Sequence, residues 1–271
     1  MKKNDYMKFI VLSLLVVAVY IPTFIWMYER WSAPDTYYSH GFLIPLVSGF
    51  IVWLKRKELA QIKSEPLVKA GWLLFASGIA VHLISTLWQV SFTSAFSLLI
   101  VMMGLILLFF GKDYLRQLAF PLAFLIFMIP LPMLAIANIS FRLKIFAAQV
   151  STKILNTVGV GAVREGSVIK TAHSYLMVED PCSGIRSLVA LIALGALMAY
   201  FSNLSRKKQV ILFASSVPIA IGTNIIRIVA LSLASEIYGS QFAGGLFHDT
   251  MGILVFVFAF IALAFVAKIL E

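Results

Sequence analysis

The chain of 271 residues contains a single cysteine and few charged residues, and each scarcity excludes a class of protein. One cysteine excludes an internal disulfide and any metal cluster held by several cysteines. Charged residues make up 13% of the chain and hydrophobic residues 61%, with a mean hydropathy of +0.96. No polar stretch is long enough to form a separate soluble domain. This composition is typical of a helical protein that crosses a membrane several times.

Apolar windows near the length of a membrane span are the main structural signal. About 20 apolar residues are needed to cross a hydrocarbon layer of ~30 Å. The windows are 8–27, 41–55, 70–89, 93–111, 118–138, 184–203, 209–236 and 249–268. They predict an all-α polytopic membrane protein with about eight spans, the second short and the seventh long, in a single domain over residues 1–271. The first window lacks a small-residue cleavage site, so we expect a retained helix rather than a signal peptide.

Acidic residues are also scarce, with 12 against 22 basic residues and a net charge of +10. If the spans alternate, 14 basic residues fall on one side: Lys2, Lys3, Lys8, Lys55, Arg56, Lys57, Lys63, Lys69, Lys112, Arg116, Arg206, Lys207, Lys208 and Lys268. Basic residues in short loops mark the cytoplasmic side. The basic excess therefore predicts that both termini are cytoplasmic in a plasma (inner) membrane. The expected partner is the lipid bilayer, and no nucleic acid is expected.

The same alternation leaves one large extracytoplasmic insert, residues 139–183. Apolar residues at helical spacing from Ser140 to Val158 predict an amphipathic helix in the membrane interface. Two extended runs follow, 160–164 and 168–178, which predict a β-hairpin turning at Glu165-Gly166 and leading into the only cysteine. An extended edge can also take up a substrate strand.

Helix breakers occur at two places in the predicted spans. Pro130 and Pro132 are expected to bend the end of span five. Pro218 and Gly222 are expected to break the long seventh span, which would open room for a cavity.

Three reactive side chains fall at similar depth on the extracytoplasmic side. Cys182 lies at the entrance of span six, Arg227 in the outer half of span seven, and His248 at the entrance of span eight. Taken singly, a cysteine is most often an apolar filler and a histidine near a span end is usually an interfacial residue. An arginine in an apolar run costs at least ~2.5–3.5 kcal/mol on insertion scales. Such an arginine lines a cavity or a functional site, or else its charge reaches the surface along its flexible stem.

Together these three residues have the chemistry of a cysteine peptidase that needs no cofactor or metal. The Cys182 thiolate would attack a peptide carbonyl and form a thioester through an oxyanion. His248 would take the thiol proton and return it to the leaving amine. Arg227 would stabilise the oxyanion. Water or an acceptor nucleophile would then resolve the acyl-enzyme.

Three neighbouring residues are supporting candidates. Asn224 precedes Arg227 by three residues, shares its helix face and can orient it. Arg186 lies one helical turn after Cys182 and can bind a carboxylate or a lipid phosphate. Glu179 can balance these cations, although a solvated loop acid is the simpler interpretation.

Several short motifs resemble those of the exosortase/archaeosortase family. The resemblance is carried by Cys182-Ser183-Gly184-Ile185-Arg186-Ser187, by Asn224-Ile225-Ile226-Arg227, and by His248 followed by Gly252. Tyr38-Ser39-His40-Gly41-Phe42-Leu43-Ile44-Pro45 and Pro130-Leu131-Pro132 support it. His40 is therefore added to the supporting candidates. The order, the spacing and the predicted membrane side of these motifs agree over most of the chain.

This resemblance implies a membrane cysteine transpeptidase that recognises a C-terminal sorting signal on exported proteins. Such a signal has a short motif (often Pro-Glu-Pro), a transmembrane helix and a basic cluster. The family's cysteine, arginine and histidine correspond to Cys182, Arg227 and His248, and a lipid- or polysaccharide-linked acceptor is implied. The sequence departs from some members in two ways. The chain is expected to lack the extra C-terminal domain of some members, and Pro181 stands where alanine is more usual. The subfamily and its motif therefore stay open.

Two alternatives remain from the residues alone. A transporter or flippase would use Arg227 and Arg186 to bind an anionic substrate, but it gives no reason for cysteine and histidine at the same depth, and no inverted repeat is visible. A serine intramembrane protease would rest on the dipeptide Ser183-Gly184 and would need His248 as its base.

Overall fold

The computed structural model describes residues 3–34, 36–178, 184–239 and 245–271, with side chains from residue 5 onward and, in the last range, from residue 250. The chain divides into two compact units, Met1–Pro132 and Met133–Glu271. Helices predominate in both. The described residues form one β-sheet, which belongs to the second unit. The protein is therefore an all-α membrane protein apart from this small sheet.

The described residues of the first unit form eight helices. They are α1 (Lys3–Val19), α2 (Ile21–Ser32), α3 (Leu43–Leu54), α4 (Arg56–Gln61), α5 (Val68–Leu87), α6 (Ser91–Phe109), α7 (Lys112–Gln117) and α8 (Ala119–Phe124), with 3₁₀ turns at Ser39–Phe42 and Leu125–Met128. The long helices α5 and α6 approach closely at small residues. A Cβ atom on Gly71 would lie 2.6 Å from the Leu108 backbone nitrogen, and one on Gly104 would lie 2.6 Å from that of Phe75. Small residues permit such approach between membrane helices.

Buried polar side chains join the helices of the first unit. The hydroxyl groups of Tyr20 and Ser97 lie 2.6 Å apart, as do those of Thr23 and Ser94. Nδ1 of His82 lies 2.9 Å from the Ser94 hydroxyl. Tyr20 occupies the 57° bend between α1 and α2. These bonds therefore fix the bend against α5 and α6, where polar groups have no water to bind.

In the part of the second unit that the structure describes, there are four helices and the sheet. Its elements are α9 (Met133–Thr157), β1 (Val163–Glu165), β2 (Val168–Lys170), β3 (Tyr175–Met177), α10 (Ile185–Phe201), α11 (Arg206–Tyr238) and α12 (Gly245–Leu270). The predicted break at Pro218 and Gly222 is wrong, because α11 continues through both for 33 residues. A proline removes one N–H donor, and membrane helices tolerate that loss when neighbouring groups compensate.

The predicted fifth span, 118–138, is also wrong in its boundaries. Helical structure stops at Met128, and α9 begins at Met133, after Pro130 and Pro132. Each proline lacks an N–H and fixes its own φ. One helix therefore ends before the prolines and a new helix begins after them, instead of a single bent helix. The new helix then runs without interruption through most of the segment predicted as an interfacial helix.

The sheet has three antiparallel strands in the order β1-β2-β3. Glu165 is paired with Val168 across the first turn, close to the predicted one. The predicted strand 168–178 is divided, because Thr171 donates its backbone N–H to the Ser174 carbonyl at 2.9 Å and closes a second turn. Ile169 and Leu176 are paired and buried with Val178 in a core that α9 and α11 complete. The sheet is thus amphipathic, with one face on the helices.

Five described helices are long and apolar enough to cross a membrane: α5, α6, α9, α11 and α12. A sixth span results if the bent pair α1–α2 is one span. Shorter apolar helices, Ser39–Leu54, Ala119–Met128 and Ile185–Phe201, fall in the predicted second, fifth and sixth spans. The protein is thus an integral membrane protein, and the number of eight spans stays a prediction.

Candidate active site

Two polar side chains of α11 are buried in the second unit. Asn224 is 3% exposed and Arg227 is 9% exposed, although arginine is rarely buried in proteins. Ile225, Ile228 and Leu231 of the same helix pack into the core against α9 and the sheet. These apolar neighbours fix the rotation of α11, and that rotation places Asn224 and Arg227 inside the unit.

Asn224 lies against the first residue of the α10 region. Gly184 caps the N-terminus of α10 with φ +78°, a left-handed conformation that favours glycine. A Cβ atom on Gly184 would lie 2.7 Å from Cγ of Asn224, which is too close for any side chain. Gly184 follows Cys182 by two residues. The contact therefore holds the chain just after the cysteine against α11.

Arg227 lies against α12. A Cβ atom on Gly252 would lie 3.4 Å from Nη2 of Arg227 and 3.7 Å from its Cζ, so glycine leaves room for the guanidinium beside the helix. The backbone of His248 belongs to α12, four residues before Gly252, or about one helical turn. The guanidinium thus lies about one turn along α12 from the position of His248.

The structure places Gly184, at the start of α10, and Gly252 of α12 against one turn of α11. Asn224 and Arg227 contact α10 and α12 from one turn of α11. Cys182 and Glu179 lie outside the described residues, as does the side chain of His248. Arg186, in the first turn of α10, is exposed to the surroundings of the unit.

A small cavity borders the contact between Gly184 and Asn224. Its volume of 10 Å³ is close to the minimum for one water molecule. Leu143, Ala147, Leu188, Ala220 and Ile221 complete its lining. The inner side of this contact is therefore closed to a substrate side chain, which must approach from elsewhere.

Glu236, near the end of α11, is a polar residue that the sequence arguments missed. Its Oε2 accepts hydrogen bonds from the Thr171 hydroxyl at 2.5 Å and from the His173 backbone N–H at 3.2 Å. Its Oε1 lies 2.8 Å from Nδ1 of His173. Glu236 thereby ties the turn between β2 and β3 to α11. One signal was available, since Glu236 is the only acidic residue between positions 181 and 248.

His40 belongs to the first unit, where two of the sequence motifs meet. Its ring stacks on that of Tyr38 with centroids 5.8 Å apart. The Tyr38 hydroxyl accepts a hydrogen bond from the Leu131 N–H at 3.1 Å, and the Trp31 indole donates to the Met128 carbonyl at 2.9 Å. The Tyr38-to-Pro45 motif therefore anchors the loop that contains Pro130-Leu131-Pro132. His40 therefore stacks on the residue that anchors this loop, and these contacts all lie within the first unit.

The site contains a buried, permanently charged donor, Arg227, beside α12. A guanidinium in a partly desolvated position stabilises negative charge more strongly than one in water. In the described part of the chain, no three side chains among His, Cys, Asp and Glu form a group able to hold a metal ion. Arg227 is the described group best suited to stabilise an anion formed during a reaction.

One comparison with known proteins finds a match. Residues 31–265 match the family model described as transmembrane exosortase, and this range contains every candidate site residue. No curated protein and no solved structure matches the chain significantly.

Proposed function

The chain belongs to the transmembrane exosortase family, and we propose that it cleaves a C-terminal sorting signal from exported proteins through a thioester on Cys182. Membership of this family implies a membrane-embedded enzyme of the transpeptidase or protease type. The proposed substrates are exported proteins whose C-terminus carries a short motif, an apolar helix and a basic tail. The product is released by water or passed to an acceptor, such as a lipid- or polysaccharide-linked amine.

The observation that carries this proposal is the convergence of α10 and α12 on one turn of α11. Gly184, two residues after Cys182, lies against Asn224, and Gly252, one turn after His248, lies against Arg227. His248 precedes Gly252 by four residues, a spacing that favours the same face of a helix. This arrangement supports a nucleophile, a base and a cationic donor at one site.

In the proposed mechanism each residue acts on one step. His248 accepts the thiol proton as sulfur attacks the carbonyl carbon of the substrate, and it then protonates the nitrogen that leaves. Arg227 donates hydrogen bonds to the oxyanion, which carries full negative charge only in the tetrahedral state. Asn224 positions the start of α10 through Gly184. The exposed Arg186 binds a substrate carboxylate or a lipid phosphate.

The distribution of basic residues supports a site on the extracytoplasmic face of the plasma (inner) membrane. An exported protein reaches that face after translocation, while its C-terminal helix stays in the bilayer. The transporter or flippase alternative accounts for a buried arginine. It gives no reason for the contacts of Asn224 with Gly184, two residues after Cys182, and of Arg227 with Gly252, one turn after His248.

The decisive experiment compares single variants on a reporter fused to the C-terminal signal of an exported protein from the same genome. We expect Cys182→Ala to abolish processing, and His248→Ala and Arg227→Ala to slow it about 10²–10³-fold. Arg227→Lys should also be poor, because a point charge does not replace the planar donor fork. Amounts of each variant in the membrane provide the control. Full processing by Cys182→Ala would refute the mechanism.

The same reporter distinguishes hydrolysis from transfer. Mass spectrometry of its new C-terminus would show a free carboxylate after hydrolysis and an added group after transfer. Added hydroxylamine competes for a thioester, so a C-terminal hydroxamate would be evidence for the acyl-enzyme. No hydroxamate at saturating hydroxylamine, with processing intact, would argue against the thioester.

A further inference from the structure

The strand β3 forms an open edge of the sheet. On the side of β3 that faces β2, the Ser174 carbonyl accepts the backbone N–H of Thr171, and Val178 donates its N–H to the Ser167 carbonyl at 3.0 Å. In an antiparallel pair the hydrogen-bonded residues alternate with unbonded ones. Tyr175 and Met177 fall between the bonded positions. Their backbone N–H and C=O groups therefore point away from β2, toward the edge.

The side chains along this edge alternate in the same way. Tyr175 is 62% exposed and Met177 is 51% exposed, while Leu176 between them is buried in the core. Within the described part of the chain, no hydrogen bond is found to the backbone of Tyr175 or Met177. Four outward-pointing backbone groups are thus available, and such an edge is a template for one more strand.

The position of this edge relates it to the candidate site. β3 ends at Met177, five residues before Cys182. At its other end, Glu236 holds the turn that precedes it. The buried Leu176 and Val178 fix the strand on α11. The strand is therefore held at both ends and along its inner face, and Cys182 follows its last residue by five positions in the sequence.

We propose that the free edge of β3 binds an extended segment of the exported substrate, which adds a fourth strand to the sheet. This inference rests on the proposed function and names the way in which the substrate is held. Recognition through the main chain gives affinity with little demand on side chains, and alternate substrate residues would face the same side as Tyr175 and Met177. The other edge, β1, is separated from β3 by β2, and it ends at Glu165, 17 residues before Cys182 in the sequence.

A proline substitution tests the backbone contact directly. Met177→Pro removes an N–H that β2 does not use, and edge strands tolerate proline at such positions. Met177→Ala removes the side chain and keeps the N–H, so it is the matched control. We expect Met177→Pro to lower processing of the reporter fusion about tenfold at limiting reporter, through one lost hydrogen bond and one unpaired carbonyl. Met177→Ala keeps that N–H, so it should lose much less of the processing rate than Met177→Pro. Equal rates for the proline variant and the native protein, or an equal loss in both variants, would overturn the proposal.

Photo-crosslinking measures binding without chemistry. In a Cys182→Ala background, a benzophenone amino acid replaces either Tyr175, on the β3 edge, or Val163, on β1. Val163 is 63% exposed, so the two probes are equally accessible. We expect the reporter fusion to crosslink at position 175 and at most weakly at position 163. Equal crosslinking at both would overturn the proposal. Both photo-crosslinking variants keep every backbone N–H of the sheet. Their result therefore tests the proposal even if Met177→Pro does not accumulate in the membrane.

The two proposals fail in different ways. If the thioester mechanism is wrong, Cys182→Ala processes the reporter, whatever happens at the edge. If edge binding is wrong, Cys182→Ala is inactive and yet the crosslinks show no preference for β3.

Discussion

At the scale of single residues, glycines define the contacts of the candidate site. Gly184 lies against the side chain of Asn224, and Gly252 lies against that of Arg227. The two glycines differ in the room that they leave. Gly184 has a left-handed backbone and no space for a Cβ atom, whereas Gly252 lies in a regular helix with ordinary contact distance at 3.4 Å.

This difference predicts different results for the same substitution. Gly184→Ala should reduce reporter processing at least tenfold, because the left-handed conformation costs about 1–2 kcal/mol for a residue with a Cβ atom and Asn224 must move as well. Gly252→Ala should retain most of the native rate. Processing rates normalised to the amount of each variant in the membrane would check both. Comparable rates for the two alanine variants would contradict this account of the Gly184 contact.

At the scale of elements, the sheet and α11 form one assembly. The sheet contributes an apolar face of Ile169, Leu176 and Val178 to the core. At its far turn, Glu236 accepts bonds from Thr171 and His173. Glu236 follows Arg227 by nine residues, or about 13.5 Å along the helix. A helix that buries Arg227 thus also holds the strand that leads to Cys182.

Removal of the Glu236 carboxylate should loosen the sheet. We expect Glu236→Ala to increase proteolytic cleavage within residues 163–178 several-fold and to lower processing, because the Thr171–Ser174 turn loses its anchor. Glu165→Ala is the matched control. It removes an acid of the same sheet whose pair with Lys170 is exposed and contributes little. Cleavage at the native rate in Glu236→Ala would show that the core alone holds the sheet.

Elements were predictable from the sequence to different degrees. Continuous apolar windows predicted α5, α6, α11 and α12 closely, since a span must satisfy its backbone internally and so forms a helix. The short strands were harder, because a run such as 168–178 is compatible with one strand or with two strands and a turn. The break before α9 was misjudged in extent, since hydropathy does not report how far two nearby prolines interrupt a helix.

At the scale of the whole molecule, the basic residues predict an orientation in the membrane. Their clustering on one side of alternating spans predicts that the 56–69 loop is cytoplasmic and that the sheet is extracytoplasmic. The natural single cysteine allows a simple test, because Cys182→Ala leaves a chain without thiols.

In that background, Tyr175→Cys and Lys63→Cys would report on opposite sides of the membrane. Both native side chains are exposed. A membrane-impermeant maleimide should label Tyr175→Cys in intact spheroplasts, whereas Lys63→Cys should be labelled only after permeabilisation. Labelling of Lys63→Cys in intact spheroplasts would contradict the orientation and the extracytoplasmic site.

The sequence alone determined the membrane class, most of the long helices and the family, because hydropathy and short motifs are local properties of the chain. It also singled out Arg227 as a costly residue in an apolar run. Only the tertiary structure decided which residues meet. The contacts of Asn224 with Gly184, Arg227 with Gly252 and Glu236 with Thr171 join positions 25 to 65 residues apart. Such contacts depend on the rotation and packing of helices, which no local pattern encodes.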